Sequence, residues 1–560
     1  MVNWKSKKLG DILLLCNGIA AIVLINLLAS FVFYRIDLTE EKRYTIKPQT
    51  KEILAGLDDK VYIEVYLAGD LNAGFTRLQR AIRETVEEFR IYSHNRVSYR
   101  FIDPAEAQSN RARGEFMADL AAKGIQATNV IDNKNGQRVE KLIFPGALVS
   151  YGAQETGVML LKGNKASTAQ EEINQSIEGL EYELASAIYR LTNSDPRRIG
   201  LVKGHGELDS VDVAGLYDAL SAVYDVSNVT LSSGDVLSYD ALVIAKPTTS
   251  FPDADLYALD QFIMQGGKVV FLLDKLDASM EKASEPGYLA FPYETGLDEM
   301  LFRYGVRINM DLIQDQNAAF YPVVTGQSGA SPRMQLVEWP YFPLIVRFAD
   351  HAVTRNLDAV LLRFASTIDT VKAPGIRKTP LLFSSQYART IGAPVQIDIN
   401  EFREQKTGQF QKSFLPVAYL LEGRFTSIYK NRFLPAGVMK NSFRQESVPT
   451  KLMVVADGDV ARNEVNRRSG NPHPLGFDPF TNYTYANDDL ILNMLAFLTE
   501  ENGLIVARNK EVAIRPLDRN RVATEKTQWQ IVNVVLPLVL TATYGIARSF
   551  VRKRRYTSFP

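Results

Sequence analysis

The stretch "RIGLVKGHGELDSVDVAGLYDALSAVYDVSNVTL" (Arg198–Leu231) decides how the larger part of this chain folds. "RIGLV" is a short apolar run and reads as a buried strand. "GHGELDS" reads as a loop, "VAGLYDALSAV" as a helix and "YDVSNVTL" as a second strand. The pattern then repeats. "YDALVIAKP" (Tyr239–Pro247) is a buried strand, "DLYALDQFIMQGG" (Asp255–Gly267) a helix closed by glycine, and "KVVFLLD" (Lys268–Asp274) another buried strand. Continuous apolar strands alternating with helices predict a doubly wound parallel sheet covered on both faces. "TKLMVVADGD" (Thr450–Asp459) predicts one more strand of this kind, with the helix "DDLILNMLAFLTEE" (Asp488–Glu501) packed on it. The runs "PLLFSSQ" (Pro380–Gln386) and "VAYLLEG" (Val417–Gly423) are also strand-like, and the pattern does not order them.

Upstream, "DKVYIEVYLAG" (Asp59–Gly69) alternates apolar and polar residues as a strand does. The helix "FTRLQRAIRETVEEFRIY" (Phe75–Tyr92) follows, with Leu78, Ile82, Val86 and Phe89 on one face, and then the strand "RVSYRFIDP" (Arg96–Pro104). This order predicts a parallel βαβ unit. "KLIFPGALVSYG" and "TGVMLLKG" add two strands, giving a small α/β domain of thioredoxin-like kind. It holds no C-x-x-C, which excludes redox chemistry there. The helix "NQSIEGLEYELASAIYRLT" (Asn174–Thr192) links it to the larger domain, and "NSDPRR" (Asn193–Arg198) reads as the boundary.

Both ends are apolar. "ILLLCNGIAAIVLINLLASFVFY" (Ile12–Tyr34) is long enough for a bilayer span and follows Lys5, Lys7 and Lys8. No small-residue cleavage site follows it, so an uncleaved anchor is expected. Leu15 precedes the lone Cys16 where a lipoprotein signal wants a small residue, which argues against lipidation. "WQIVNVVLPLVLTATYGIA" (Trp529–Ala547) is the second span, followed by Arg548, Arg552, Lys553, Arg554 and Arg555. Pro537 within it is tolerated in a membrane helix. Basic flanks stay cytoplasmic. Both termini are therefore expected inside a bacterial inner membrane, with the bulk of the chain in the periplasm. The expected division is 1–36 tail and first span, 37–195 first α/β domain, 196–505 second α/β domain, 506–526 linker, and 527–560 second span and basic tail.

Composition sets further bounds. The 560 residues carry 64 Lys+Arg against 64 Asp+Glu, a formal net charge of zero, which argues against nucleic acid as a partner. A single cysteine allows no internal disulfide and no cysteine-rich zinc site.

Several stretches, in order, resemble the auxiliary family of the ABC-type uncharacterized transport system. They are "DLTEEKRYTIKPQTKEIL" (Asp37–Leu54), "FIDP" (Phe101–Pro104), "GLEYELASAI" (Gly179–Ile188) and "GHGE" (Gly204–Glu207). "QGGKVVFLLD" (Gln265–Asp274), "YGVRINMDLIQD" (Tyr304–Asp315), "LLEGRFTS" (Leu420–Ser427) and "VVADGD" (Val454–Asp459) follow, ahead of the C-terminal apolar helix. The resemblance is nearest to the GldG-type gliding-motility members from Bacteroidetes. It implies a membrane-anchored, non-ATPase partner of an ABC permease and an ABC ATPase; a dimer within the complex is a separate expectation, with the stoichiometry open. It further implies a role in gliding and type IX secretion, and a second domain similar to class I glutamine amidotransferases. It carries no catalytic residue and no cofactor.

The residues themselves point the same way. An amidotransferase needs a cysteine nucleophile activated by histidine, and the one cysteine here lies in the first apolar segment. No G-x-x-x-x-G-K-[ST] string occurs, so ATP hydrolysis by this chain is not expected. The expectation is therefore no enzyme, no metal and no cofactor. One binding site remains open. In a doubly wound sheet ligands bind beyond the carboxyl ends of the strands. His205 and Glu207, Asp274, and Asp457 and Asp459 fall at three such ends and could meet in one crevice holding a cation or a polar ligand, as in a solute-binding receptor. The alternative is that Gly204 and Gly206 make a tight turn, His205 bonds the backbone and the acids are solvated. Glu422, Arg424 and Ser427, near a strand end, read as a structural ion pair, and His94, His351 and His473 as structural residues. The loop Glu464–Tyr485 reads equally as a partner-binding or a packed loop.

Overall fold

The structure, a computed structural model, describes residues 7–31, 45–104, 110–134, 137–162, 169–193, 196–233, 235–285, 287–328, 331–397, 407–435, 443–466, 468–500, 504–505 and 519–557. It forms two units, Met1–Lys510 and Glu511–Pro560.

The first unit begins with α1 (Lys7–Phe31), whose apolar part is Leu13–Leu27. Of the expected first span, Ile12 lies in this helix, while Tyr34 lies outside the described residues. After α2 (Pro48–Ala55) come β1 (Val61–Val65), α3 (Ala73–Tyr92), β2 (Val97–Phe101), α4 (Asn110–Ala122), the hairpin β3 (Thr128–Lys134) and β4 (Gln137–Ile143), β5 (Gly146–Tyr151), β6 (Gln154–Met159) and α5 (Ala169–Thr192). β1 pairs parallel with β2 and antiparallel with β5, and β5 pairs antiparallel with β6. The βαβ unit expected from the sequence is thus present. Asn72 starts α3 by accepting the Phe75 N–H at 3.0 Å. The stripe Leu78, Ile82, Val86 and Phe89 is buried against the sheet. The buried Glu181 of α5 accepts the Lys47 N–H at 2.6 Å and the Thr50 hydroxyl at 2.9 Å, so it caps α2 from across the fold. Two sequence stretches far apart in the chain, "KPQT" and "GLEYELASAI", are thereby one piece of structure.

The second sheet is built from β7 (Arg198–Val202), α6 (Ala214–Ser221), β8 (Asp225–Val229), β9 (Ala241–Ala245), α7 (Asp253–Met264) and β10 (Lys268–Leu272). A β-arm follows, β11 (Ala318–Ser328) and β12 (Ser331–Ile345), then β13 (Arg347–Phe348) and β14 (Val360–Leu361), which pairs with β12. β15 (Ile376–Phe383), β16 (Pro416–Gly423), β17 (Thr450–Val455) and α8 (Asn487–Thr499) complete it. The strand order is β13-β15-β16-β17-β10-β9-β7-β8. From β17 to β8 the neighbours run parallel. Alternate side chains serve two cores. Val243, Val270, Leu272, Met453 and Val455 pack with α6 and α8 on one face; Leu242, Ile244, Val269, Phe271, Leu452 and Val454 pack with α7 on the other. Two buried faces are why these strands read as unbroken apolar runs.

The wholly parallel sheet expected from the sequence is corrected at one edge. β16 pairs antiparallel with β17, β15 with β16 and β13 with β15. "VAYLLEG" and "PLLFSSQ" are the strands left unordered above. Pro380 sits at a register shift in β15, where a missing N–H is tolerated.

The second unit is α9 (Arg519–Thr557), containing Pro537. Its segment Thr524–Arg554 is, among the described residues, the one helix long and apolar enough to cross a membrane. The anchor expected at Trp529–Ala547 lies inside it.

Candidate functional site

β7 runs out at Val202, and the chain turns through Gly204 (φ 121°) and Gly206 (φ 70°). A Cβ on Gly206 would lie 2.3 Å from Thr248 Oγ1, so glycine is required by space as well as by φ. The turn is locked to the neighbouring strand end, because the His205 carbonyl accepts the N–H groups of Thr248 and Thr249, both at 3.0 Å.

His205 is 2 % exposed. Its ring stacks on Phe251, with centroids 3.6 Å apart and planes within 5°. Nδ1 lies 2.9 Å from Glu207 Oε1 and Nε2 lies 3.0 Å from Asp255 Oδ2, while Glu207 Oε2 accepts the His205 N–H at 2.7 Å. Burial alone would lower the imidazole pKa, but its bonds to Glu207 and Asp255 outweigh that and raise it. Burial likewise works against the Glu207 carboxylate, and its bonds to His205 bring its pKa below the usual value. The arrangement is an imidazolium donating to two carboxylates. Asp255 lies in the first turn of α7, where the helix dipole favours negative charge. Both ring nitrogens are used, so His205 has no free nitrogen for a metal or for proton transfer.

The other three acids form a second group. One oxygen from each of Asp274, Asp457 and Asp459 lies within 4.8 Å of the others, a spacing that would suit a cation. A side chain already supplies the positive charge. Lys246 Nζ lies 2.6 Å from Asp459 Oδ2 and 2.8 Å from Asp274 Oδ2. Lys246 directly follows β9 and has φ 55°, a left-handed conformation rare outside glycine. The close approach explains Gly458, whose Cβ would lie 2.5 Å from that of Lys246. Backbone donors complete the network: Gly458 N–H to Asp274 at 2.5 Å, Asp459 N–H to Asp457 at 2.7 Å, and Arg363 N–H to Asp457 at 2.5 Å. Arg462 reaches Asp459 at 3.3 Å and Asp212 at 3.0 Å.

The electrostatics follow from burial and these partners. Burial raises Asp274 to about 6 against the pull of Lys246. Burial, with Asp274 and Asp459 alongside, raises Asp457 well above the carboxylate range. Burial also opposes the ionised Asp459, yet Lys246 and Arg462 hold its pKa below the usual value. Burial opposes the charge on Lys246, and Asp274 and Asp459 more than restore it.

The four acids and the histidine expected in one crevice therefore form two internally bonded groups at adjacent strand ends. Sequence reading missed Lys246, Asp255, Phe251, Arg363 and Arg462. Lys246 had a signal, since it ends the apolar run "ALVIA" as Asp274 ends "KVVFLL". Elsewhere Glu422 pairs with Arg377, and the buried Ser427 donates to Asp260 at 2.7 Å. His351 accepts the Val353 N–H at 3.3 Å. In the loop Glu464–Tyr485, Asp478 is buried and accepts the Phe480 N–H at 3.0 Å.

The fold and the charge-filled strand ends define a mixed α/β protein with an apolar helix able to anchor it in a membrane. Residues 196–494 match the ABC-type uncharacterized transport system family, more than half of the chain, and the chain belongs to that family as an accessory component of an ABC system. Residues 40–150 match a domain of unknown function. An uncharacterized protein of Borreliella burgdorferi is 19 % identical over 98 % of this chain and 99 % of its own length. Among solved structures, the mmIFT52 N-terminal domain aligns over 54 % of this chain and 97 % of its own at 13 % identity and TM-score 0.31. A ThuA-like protein from Parabacteroides merdae aligns over 58 % of this chain and 94 % of its own at 12 % identity and TM-score 0.26. Neither score supports a fold assignment.

Proposed function

We propose that this chain is a non-catalytic subunit of an ABC transporter. In this reading it associates with the permease and ATPase and presents a large α/β module as an interaction scaffold. The observation that carries the reading is the filled crest of the second sheet. Where an amidotransferase-like enzyme would place a nucleophile on a strained strand-end turn, the strained residue is Lys246, held between two carboxylates. The strand order β2-β1-β5-β6 supports the thioredoxin-like reading of the first sheet, and the parallel strands flanked by helices support the amidotransferase-like reading of the second.

The finer proposal is a GldG-type subunit serving gliding motility and type IX secretion in the inner membrane. Lys5, Lys7 and Lys8, and the basic run from Arg548 to Arg555, favour cytoplasmic termini, with α1 and α9 as anchors and the α/β module in the periplasm. Affinity purification of the tagged full chain from native membranes tests the assembly. An ABC permease and ATPase are expected to co-purify; recovery without either refutes it. A phosphatase reporter on the C-terminus should be inactive, and activity there refutes the topology.

A second reading, a solute-binding receptor, is favoured by a cavity of about 530 Å³ next to the aspartate group, lined by Asp459, Arg462 and their neighbours.

A further inference from the structure

Building on the receptor reading, we infer that this cavity binds a neutral polyhydroxylated ligand of the saccharide class. Its volume of about 530 Å³ falls in the ~300–1,000 Å³ range of small-molecule sites. It lies where the chain leaves β17, the carboxyl end of a parallel strand, as ligand sites of such sheets do.

The chemistry of the lining selects the class. Tyr321, Phe342 and Phe480 form one wall, with Tyr321 edge-on to Phe342 at 5.8 Å and to Phe480 at 5.9 Å. Phe480 is 40 % exposed, so the wall reaches the cavity mouth. Aromatic faces pack against the apolar C–H face of a sugar ring. Two ion pairs stand in the polar lining, Arg363 with Glu464 at 2.5 Å and Arg462 with Asp212 at 3.0 Å, and Glu281 and Asp478 add carboxylates to it. An anion would have to compete with those carboxylates for the guanidinium groups. A cation would compete with Arg363 itself, whose guanidinium stands 5.4 Å over the Phe342 ring. Paired guanidinium and carboxylate groups instead offer donors beside acceptors. A hydroxyl group uses both at once, donating to one and accepting from the other. A cavity wall that is apolar on one side and alternately donating and accepting on the other matches a pyranose ring better than it matches an ion.

The test is calorimetric titration of the full chain in a polyoxyethylene detergent, which lacks a sugar head group. The probes are glucose, N-acetylglucosamine and maltose, with tetramethylammonium chloride and sodium phosphate as the ionic arms. At least one saccharide is expected to bind. Phe480→Ala should weaken it about tenfold or more while leaving the melting temperature within a few degrees, and Phe480→Trp should retain it. A saccharide that binds Phe480→Ala as tightly as the parent overturns the site. Binding of tetramethylammonium or phosphate without any saccharide overturns the ligand class and leaves the receptor reading standing. Absence of heat with every probe overturns both. Co-purification with the permease and ATPase is a separate readout, and none of these variants should change it.

Discussion

Lys246→Met removes a buried cation and keeps a side chain of similar length, so it isolates the charge at the centre of the aspartate group. Lys246 is 5 % exposed, and its ammonium is within 2.8 Å of both Asp274 and Asp459. Deleting one partner of a buried ion pair costs about 3–5 kcal/mol, because the remaining charge stays desolvated. At roughly 2 °C per kcal/mol, the low end for larger units, the melting temperature should fall by about 6–10 °C near pH 8. The sign of the pH dependence is fixed by Asp274. Burial already raises its pKa to about 6 in the parent, and without Lys246 it must rise further. A carboxylate whose folded pKa lies above its unfolded value penalises the fold at high pH, and the penalty fades as pH falls through the folded pKa. The gap between variant and parent should therefore narrow from about pH 8 to about pH 5.5, at up to ~1.4 kcal/mol per pH unit for one carboxylate. It should not close, because Asp459 also loses the nearer of its two cationic partners. Intrinsic-fluorescence melts of the full chain at the two pH values measure both effects. With the ammonium gone, millimolar calcium should raise the melting temperature of the variant and leave the parent unchanged, since the three clustered carboxylates then keep only Arg462, on Asp459, as a cationic partner. A variant that melts within about 2 °C of the parent at both pH values, or a gap that widens in acid, refutes the reasoning.

His205→Gln should cost about 3 kcal/mol, since it leaves Glu207 and Asp255 without their shared cation. The raised His205 pKa means its contribution is complete below 6.5 and lost as pH rises through the folded value. The lowered Glu207 pKa means its contribution is complete above 4.5 and lost as pH falls through the folded value. The stability gap to the parent, read from melts across pH, should be widest between these two limits. Gly215→Ala tests whether the loop Glu464–Tyr485 is packed, because a Cβ there would lie 2.6 Å from the Leu475 nitrogen and 2.9 Å from the His473 carbonyl. A loss of about 1–3 kcal/mol with faster protease cleavage in that loop is expected, and an unchanged cleavage rate would show the loop to be independent of α6.

The parallel core of the second sheet was legible because both its faces are buried. Leu242 and Ile244 serve one core and Val243 the other, so β9 shows no polar residue until Lys246. The antiparallel edge was not legible. β16 has the apolar texture of the parallel strands, β15 is apolar only in its second half, and nothing local distinguishes a strand that joins parallel from one that joins antiparallel. That choice is made by how the intervening chain closes, a non-local property. The cap of α2 by Glu181 was hidden for the same reason, since the residues that make it stand more than 130 positions apart within the first domain and meet only once that domain is folded. At the site the glycine turn and the three aspartates could be read as strand-end features. Their partners could not, because Asp255 belongs to a helix start and Arg363 and Arg462 to irregular segments.

The partners change what the strand-end residues mean. A histidine between glycines and three clustered aspartates look alike from sequence, as groups offered to a ligand. In the structure each group is closed on itself by an opposite charge: His205 by Glu207 and Asp255, and the aspartates by Lys246 and Arg462. Closure of this kind holds strand ends in place, because every member loses its compensation if one loop moves. The Lys246 network joins β9, β10 and β17 through three loops, and Arg462 and Arg363 carry the tie outward to Asp212 and Glu464 at the cavity wall. The same network that fills the crest of the sheet with paired charge also fixes Arg462 and Arg363 in the wall of the neighbouring cavity, and a wall fixed in advance lowers the ordering cost of binding there.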